Sequence, residues 1–385
     1  MTRRTGNNRT LRIANESVNA FVPFPLPPRD PPLHISKEID RLHIAAIAGL
    51  SRLEVAGRMV PSTGWFLYGF VRKEAVLSSQ IEGTQATLRD VATFEATKES
   101  QPLQDVEEVC NYVDAIEYAR SELAKPRGLP ISTRLLCESH RRLMRGVRGG
   151  NKSPGEVRKS QNWIGGTRPG NARFVPPPPE EVSEAMTRLE RWIHGDDPLP
   201  PLIKAGLAHV QFETIHPFLD GNGRIGRLLI ALLLEQWKLM PTPLLYLSHA
   251  FKRHQKEYYT RLSAVRTEGD WEGWTAFYLT CVREAADDGV EIAGKLFELL
   301  GKDRRRLASH KRSTVSAIQL LDVLPEHPVV TVSRVGKLLK VSSPTARKAI
   351  DIAAAAGILR ETSGKQRDRV FAYHEYLKIL TGDDV

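Results

Sequence analysis

The stretch His216-Pro217-Phe218-Leu219-Asp220-Gly221-Asn222-Gly223-Arg224-Ile225-Gly226-Arg227 (HPFLDGNGRIGR) concentrates the chemistry of this 385-residue chain. Pro217 disfavours helical geometry at the residue before it, so a helix arriving at His216 ends there and its imidazole projects from a helix end. Asp220-Gly221-Asn222-Gly223 reads as a turn and N-cap for a helix beginning near Arg224. Glycines without Cβ let main-chain N–H groups approach an anion closely, and the helix N-terminus adds partial positive charge. Arg224 and Arg227 supply two guanidinium forks suited to phosphate oxygens. The segment is therefore an oligophosphate cradle with a candidate general base, His216, and a candidate Mg²⁺ carboxylate, Asp220, close by in sequence.

Two other phosphate motifs do not fit. Gly221-x-Gly223-x-x-Gly226 satisfies the dinucleotide pattern literally, but that pattern needs a preceding strand and an acidic residue about 20 positions on. Here a helix precedes it, and Tyr246-Leu247-Ser248 occupies the later position. The P-loop pattern fails for want of a Gly-Lys-Ser/Thr.

Outward from the loop the patterning is mostly helical. Apolar residues recur at helical spacing from Ile35 to about Ala96, and again over 105–123 and Ile131–Val147. Helices resume at 180–194, 202–216, 224–239, 252–267 and 271–300. Between Ser153 and Pro179 glycines and prolines interrupt the pattern, and Trp163-Ile164 and Phe174-Val175 read as the arms of a small hairpin. Residues 1–32, basic and then Pro-rich (FVPFPLPPRDPP), read as an irregular arm.

Residues 302–385 differ in composition, with sixteen Lys/Arg against nine Asp/Glu, so most of the formal net charge of +10 sits there. KDRRR at 302–306 reads as a linker. Helices over Thr314–Leu324, Val332–Leu339 and Pro344–Ala356 follow, and then two strands around a Gly364 turn. That order predicts a winged helix-turn-helix.

Hydrophobic residues make up 41% of the chain, enough for a packed core, and its length points to two or three domains. Cys110, Cys137 and Cys281 lack metal-ligand spacing and are too few for a disulfide scaffold. The longest apolar run, Leu228–Leu234, is far short of the ~20 residues that span a bilayer. These features predict a soluble, cytoplasmic protein without a membrane segment.

HPFLDGNGRIGR resembles the signature of Fic-domain proteins, His-x-Phe-x-Asp/Glu-Gly-Asn-Gly-Arg-x-x-Arg, with every defining position filled. GEVRKSQNWIGG and FVPPPPEEV (155–182) resemble the family's target-binding flap, and EYYTRLSAVRTEGDWEGW (257–274) its C-terminal helices. KEAVLSSQIEGTQAT (73–87) resembles the N-terminal region of one large subgroup. The resemblance implies a mainly α protein: an N-terminal arm and helical region over 1–104, a helical Fic core with a small β-hairpin flap over 105–300, and a linker with a C-terminal winged helix-turn-helix over 301–385.

The resemblance also implies a protein adenylyltransferase that moves AMP from ATP to Ser, Thr or Tyr hydroxyls of target proteins and of itself. His216 would be the base, Asp220 the Mg²⁺ ligand, and Gly221, Asn222, Gly223, Arg224, Ile225, Gly226 and Arg227 the ATP-binding loop. Arg227 would take the γ-phosphate. Tyr258 or Tyr259 resembles a position near the adenine, and either reads equally well as ordinary core. Ser78-x-x-x-Glu82-Gly83 resembles an inhibitory motif whose glutamate pairs with the second arginine of the loop, in the same molecule. A homodimer is implied as well. The same site could instead remove AMP or transfer another nucleotidyl or phosphoryl group, and a DNA-binding regulator with a vestigial core is the non-enzymatic alternative. The C-terminal module reads equally as a DNA-binding or a protein-docking element.

Overall fold

A computed structural model describes residues 3–13, 15–58, 63–97 and 103–382. Among them the fold is mainly helical, with one two-stranded and one three-stranded antiparallel sheet. The chain divides into two compact units. The first comprises Met1–Ser51, Asn111–Pro241 and Leu247–Ala285; the second comprises Arg52–Cys110, Thr242–Tyr246 and Ala286–Val385. No helix among the described residues is long and apolar enough to cross a membrane.

The first unit is organised on α7 (Pro201–Ile215). Pro201 at its first position carries no N–H to leave unsatisfied and has a φ already set for a helix. Leu202, Ile203, Leu207, Val210, Phe212 and Ile215 are at most 1% exposed, so this helix is hidden on all sides. Each such side chain contributes roughly 1.5–3 kcal/mol on burial. The backbone that ends at His216 is accordingly anchored in the core. Around α7 pack α6 (Pro179–His194), α8 (Asn222–Gln236) and α10 (Gln255–Thr267). α5 (Thr133–Leu143) packs on α6 and α8. The helix expected over 252–267 is two, α9 (Leu247–Arg253) and α10, separated at His254.

The irregular arm expected over residues 1–32 is largely a hairpin. β1 (Gly6–Ile13) pairs antiparallel with β2 (Glu16–Pro23), with a left-handed Asn15 at the turn. Val18 and Ala20 pack beside Val175, and the Phe21 N–H donates to the Val175 carbonyl at 2.9 Å. Tertiary burial of this short apolar alternation outweighs a composition that by itself favours an irregular chain. The hairpin expected around residues 163–175 is reduced to one antiparallel bridge, Ile164 with Phe174, because Gly165, Gly166 and a short 3-10 turn at Pro169–Asn171 fill the segment between them.

The second unit contains α2 (Thr63–Ile81), α3 (Leu88–Thr97) and the C-terminal module: α12 (Val315–Val323), β3 (Val329–Thr331), α13 (Val332–Leu339), α14 (Ser343–Ala355), β4 (Arg360–Glu361), β5 (Val370–Ala372) and α15 (His374–Thr381). Its sheet order is β3-β5-β4. β3 and α15 are additions to the elements read from sequence. The KDRRR linker is absent: α11 runs unbroken from Trp271 to Ser309. The cations of that run face outward, while Asp303 and Leu307 are buried and Asp303 accepts the Tyr373 hydroxyl at 2.8 Å. Charge density suggested a linker, and a buried turn of helix decided otherwise.

α2 is fastened to this module. Glu95 of α3 accepts from the Tyr68 hydroxyl and, at 2.9 Å, from Arg72 Nε, both on α2. The Arg334 guanidinium, from α13, reaches the Glu95 carbonyl and His327 Nδ1. α15 packs on both α2 and α3.

Candidate active site

His216 is the C-cap of α7, in the left-handed region at φ 51°, ψ 62°. Its Nδ1 lies 3.3 Å from the Glu213 carbonyl. A carbonyl can only accept, so that nitrogen carries the proton and Nε2 keeps its lone pair. Burial pushes the imidazole pKa down to about 3, and the Arg158 and Arg266 guanidiniums add to the shift, against weaker opposition from the Glu213 carbonyl and Asp220. The ring is neutral and base-ready at physiological pH.

After Pro217 the chain turns at Gly221, whose φ of 73° suits a residue without Cβ, and α8 begins at Asn222. Its N-cap, Gly221, makes no side-chain cap hydrogen bond, and a helix N-terminus of this kind suits an anion. Arg224 and Arg227 are both 3% exposed, and Arg224 also contacts the Met144 sulfur at 3.6 Å. Opposing influences act on Asp220: burial raises its pKa, whereas Lys152 at 3.1 Å, the Gly221 N–H at 2.7 Å and Arg224 together lower it. The balance keeps it a carboxylate.

Some loop residues serve the loop itself. Asn222 accepts the Phe218 N–H and donates to the Phe218 carbonyl, both at 2.8 Å, so its side chain closes the turn and any contact it makes with phosphate falls to its backbone. Ile225 is fully buried, and Gly226 sits where α8 meets α7, because a Cβ there would collide with the Glu213 carboxylate. Tyr258 is 1% exposed in an aromatic cluster with Phe251 and Trp274, its hydroxyl 2.8 Å from His209 Nε2, whereas Tyr259 is 47% exposed.

Several positioning residues escaped the sequence reading. The His140 ring stacks on Phe218 at 3.9 Å; its Nδ1 accepts the Gly155 N–H at 2.9 Å, and its Nε2 therefore donates to the Asp220 carbonyl at 3.0 Å. Arg158 is 2% exposed, and its Nε donates to the His216 carbonyl at 2.8 Å while its backbone N–H donates to the Pro217 carbonyl at 2.9 Å. Lys152 supplies the counter-charge to Asp220. All three lie 58 or more residues before their partners in the loop, and no local pattern marks them.

In the second unit, α2 ends at Ile81, and Glu82 and Gly83 continue it as a turn. The Glu82 N–H donates to the Ser79 carbonyl at 3.0 Å, and Gly83 has φ 101°. Ser78 is fully buried and Glu82 is exposed.

Two buried histidines, His140 and His209, and the half-buried His216 make the fold acid-sensitive. Burial pushes His140 to about 4 and His209, with help from Arg227, to about 3; His216 is low for the reasons above. Their folded pKa values lie below the unfolded value of about 6.5, so below that pH the unfolded chain binds more protons and stability falls. Each pH unit of acidification costs up to about 1.4 kcal/mol for each fully buried histidine. The melting temperature is expected to drop from about pH 7.5 to about pH 5.5, and to drop less in His140→Asn. Equal melting temperatures at the two pH values would refute this.

Comparison with known proteins gives the arrangement its lineage. Residues 130–234 match the Fic/DOC family model and residues 41–121 the model for the Fic/DOC family N-terminal region. The chain is 28% identical over 215 residues to a protein named protein adenylyltransferase Fic from Drosophila erecta, covering 54% of this chain and 39% of that one. The namesake from Culex quinquefasciatus is 29% identical with the same coverage. The chain thus spans well under half the length of these curated relatives. A crystal structure of a Fic family protein from Desulfovibrio desulfuricans superposes with a TM-score of 0.55 at 22% identity, over 89% of this chain and 98% of that one. A Fic domain containing signaling protein from Bacteroides thetaiotaomicron gives 0.51 at 20% identity, over 67% and 97%. One family model falls on the α7–α8 loop and its surroundings and the other on the segment that holds α2, and solved Fic proteins share the fold, so residues 130–234 form a Fic/DOC family region and residues 41–121 a Fic/DOC family N-terminal region.

Proposed function

We propose that this chain is a protein adenylyltransferase, transferring AMP from ATP to Ser, Thr or Tyr hydroxyls of proteins, itself included. The observation that carries the proposal is His216: a neutral imidazole with a protonated Nδ1 and a free Nε2, at the head of a loop with an uncapped helix start and two buried arginines. The relatives' name, protein adenylyltransferase, agrees with it.

In this reading the ATP phosphates lie on the first-turn N–H groups of α8, with Arg224 at the α/β-phosphates and Arg227 at the γ-phosphate. His216 Nε2 takes the proton of the target hydroxyl as its oxygen bonds to the α-phosphorus. The bond from that phosphorus to the bridging oxygen breaks, and pyrophosphate leaves. Transfer of this kind depends mainly on positioning and charge neutralisation, which this loop supplies.

Among the described residues no group of three or more metal-type ligands occurs, but Mg²⁺ in nucleotide sites is held by one or two carboxylates and the substrate phosphates. A single ionised Asp220 fits that arrangement and would hold the ion, which would neutralise phosphate charge. Lys152 would yield its place beside the carboxylate.

Glu82 is the proposed inhibitor. A carboxylate just beyond the C-terminus of α2 meets the negative end of the helix dipole and gains from a cation. Pairing with Arg227 would deny the γ-phosphate its partner, within one molecule. The flap at 155–182 would receive an extended target segment through its backbone. The test of the activity is intact-mass spectrometry of the Glu82→Gly chain after incubation with ATP and Mg²⁺. The expected product carries added AMP; an added phosphate, or no adduct at all, would sink the proposal.

A further inference from the structure

Two basic hollows flank α14. One, of about 810 Å³, is lined by Arg334 and Lys337 from α13, Arg347 from α14, and Lys365 and Arg369 from the loop joining β4 to β5. The other, of about 800 Å³, is lined by Arg306 of α11, by Lys311 and Arg312 just after that helix, and by Lys348 from α14. Against these nine cations the linings hold two carboxylates, Asp368 and Asp351. Consecutive residues of one helix, Arg347 and Lys348, thus face opposite hollows. The outward face of α14 carries Ser343, Pro344, Arg347, Lys348, Asp351 and Ala355, all exposed. No large apolar side chain stands on it, which is the composition of a helix facing a polar ligand and a poor one for a protein-docking face.

We infer that the C-terminal module binds duplex DNA, with α14 in the major groove and a phosphate strand in each hollow. The dimensions agree: a helix with its side chains is about 10–12 Å across and the B-form major groove about 12 Å wide. A groove presents one phosphate strand on each side of an inserted helix, and two cationic hollows on either side of α14 match that symmetry, whereas a small anion would need only one. The exposed loop residues Lys365 and Arg367 would reach the backbone beside the groove. This site lies in the second unit alone and does not depend on the transferase reading.

The test is fluorescence anisotropy of a labelled mixed-sequence duplex of about 20 base pairs, titrated with the full chain from about 50 to 200 mM salt. Binding is expected, with log affinity falling linearly against log salt. In the Arg347→Ala/Lys348→Ala chain the affinity should fall at least about tenfold and the slope should become shallower by about 2. Lys365→Ala/Arg369→Ala, in the loop joining β4 to β5, should act in the same direction. Melting curves show whether each variant is folded. Duplex RNA of the same sequence should bind more weakly, because its major groove is too narrow for a helix. Absence of DNA binding at low salt, affinity unchanged in both double variants, or equal affinity for the RNA duplex would overturn the inference. None of these outcomes bears on adenylylation.

Discussion

Replacing His216 with alanine is expected to lower AMP transfer about 10²–10⁴-fold, the usual contribution of a positioned general base, while leaving ATP affinity nearly unchanged. The separation follows from the geometry. His216 ends α7 and in the proposed reaction would offer Nε2 to a hydroxyl, whereas the phosphates would be held by the first turn of α8 and by Arg224 and Arg227. The backbone at His216 is fixed by the buried face of α7 and by Arg158, so loss of the imidazole should leave the loop in place. A pKa near 3 makes the free ring a weak base. A bound triphosphate would offset the Arg158 and Arg266 charges, the lesser cause of that shift after burial, and so raise the pKa and the basicity of the ring when substrate is present. The measurement is the initial rate of label incorporation from α-labelled ATP, together with ATP binding by calorimetry, in the Glu82→Gly background. A His216→Ala rate within tenfold of its parent would exclude the base role; lost ATP binding would show that the imidazole belongs to the phosphate site instead.

Glu82→Gly is expected to raise labelling, including self-modification, about 10–100-fold. A charge-assisted hydrogen bond is worth about 1.5–3 kcal/mol, and each 1.4 kcal/mol is a factor of ten in occupancy. The proposed Glu82–Arg227 pair competes with the γ-phosphate for one guanidinium, so its removal should appear as faster transfer at limiting ATP. Glu82 stands at the exposed end of α2, where loss of its side chain removes no core packing. Activation by unfolding is therefore distinguishable from activation by release, since the melting temperature should hardly move. Equal incorporation by the two chains would end the autoinhibition proposal and leave the transferase proposal standing.

The loop from His216 to Arg227 was legible because its signals are local. Pro217 sets the end of α7, Gly221 takes the left-handed turn, and the helix restarts within two residues of where the pattern puts it. These are constraints on φ and ψ between chain neighbours, and sequence carries them directly. The same holds for α13, read residue for residue, and for α6 and α7 within one residue.

What only tertiary structure decided depends on partners distant in the chain. His140, Lys152 and Arg158 are three unremarkable polar residues until folding brings them under a loop 58 to 80 positions later. The β1–β2 hairpin and the helical KDRRR segment went unread because composition pointed one way and burial of Val18, Ala20, Asp303 and Leu307 the other. Arg347 and Lys348 were visible as charges, but their division between two hollows comes from the packing of α14 against α12 and α13. The chain's own sequence determined which chemistry its loop can hold, since turn and residue type are short-range properties. Which side chains hold that loop still, and which surfaces stay open, was set by long-range burial, whose free energy no stretch of neighbours records.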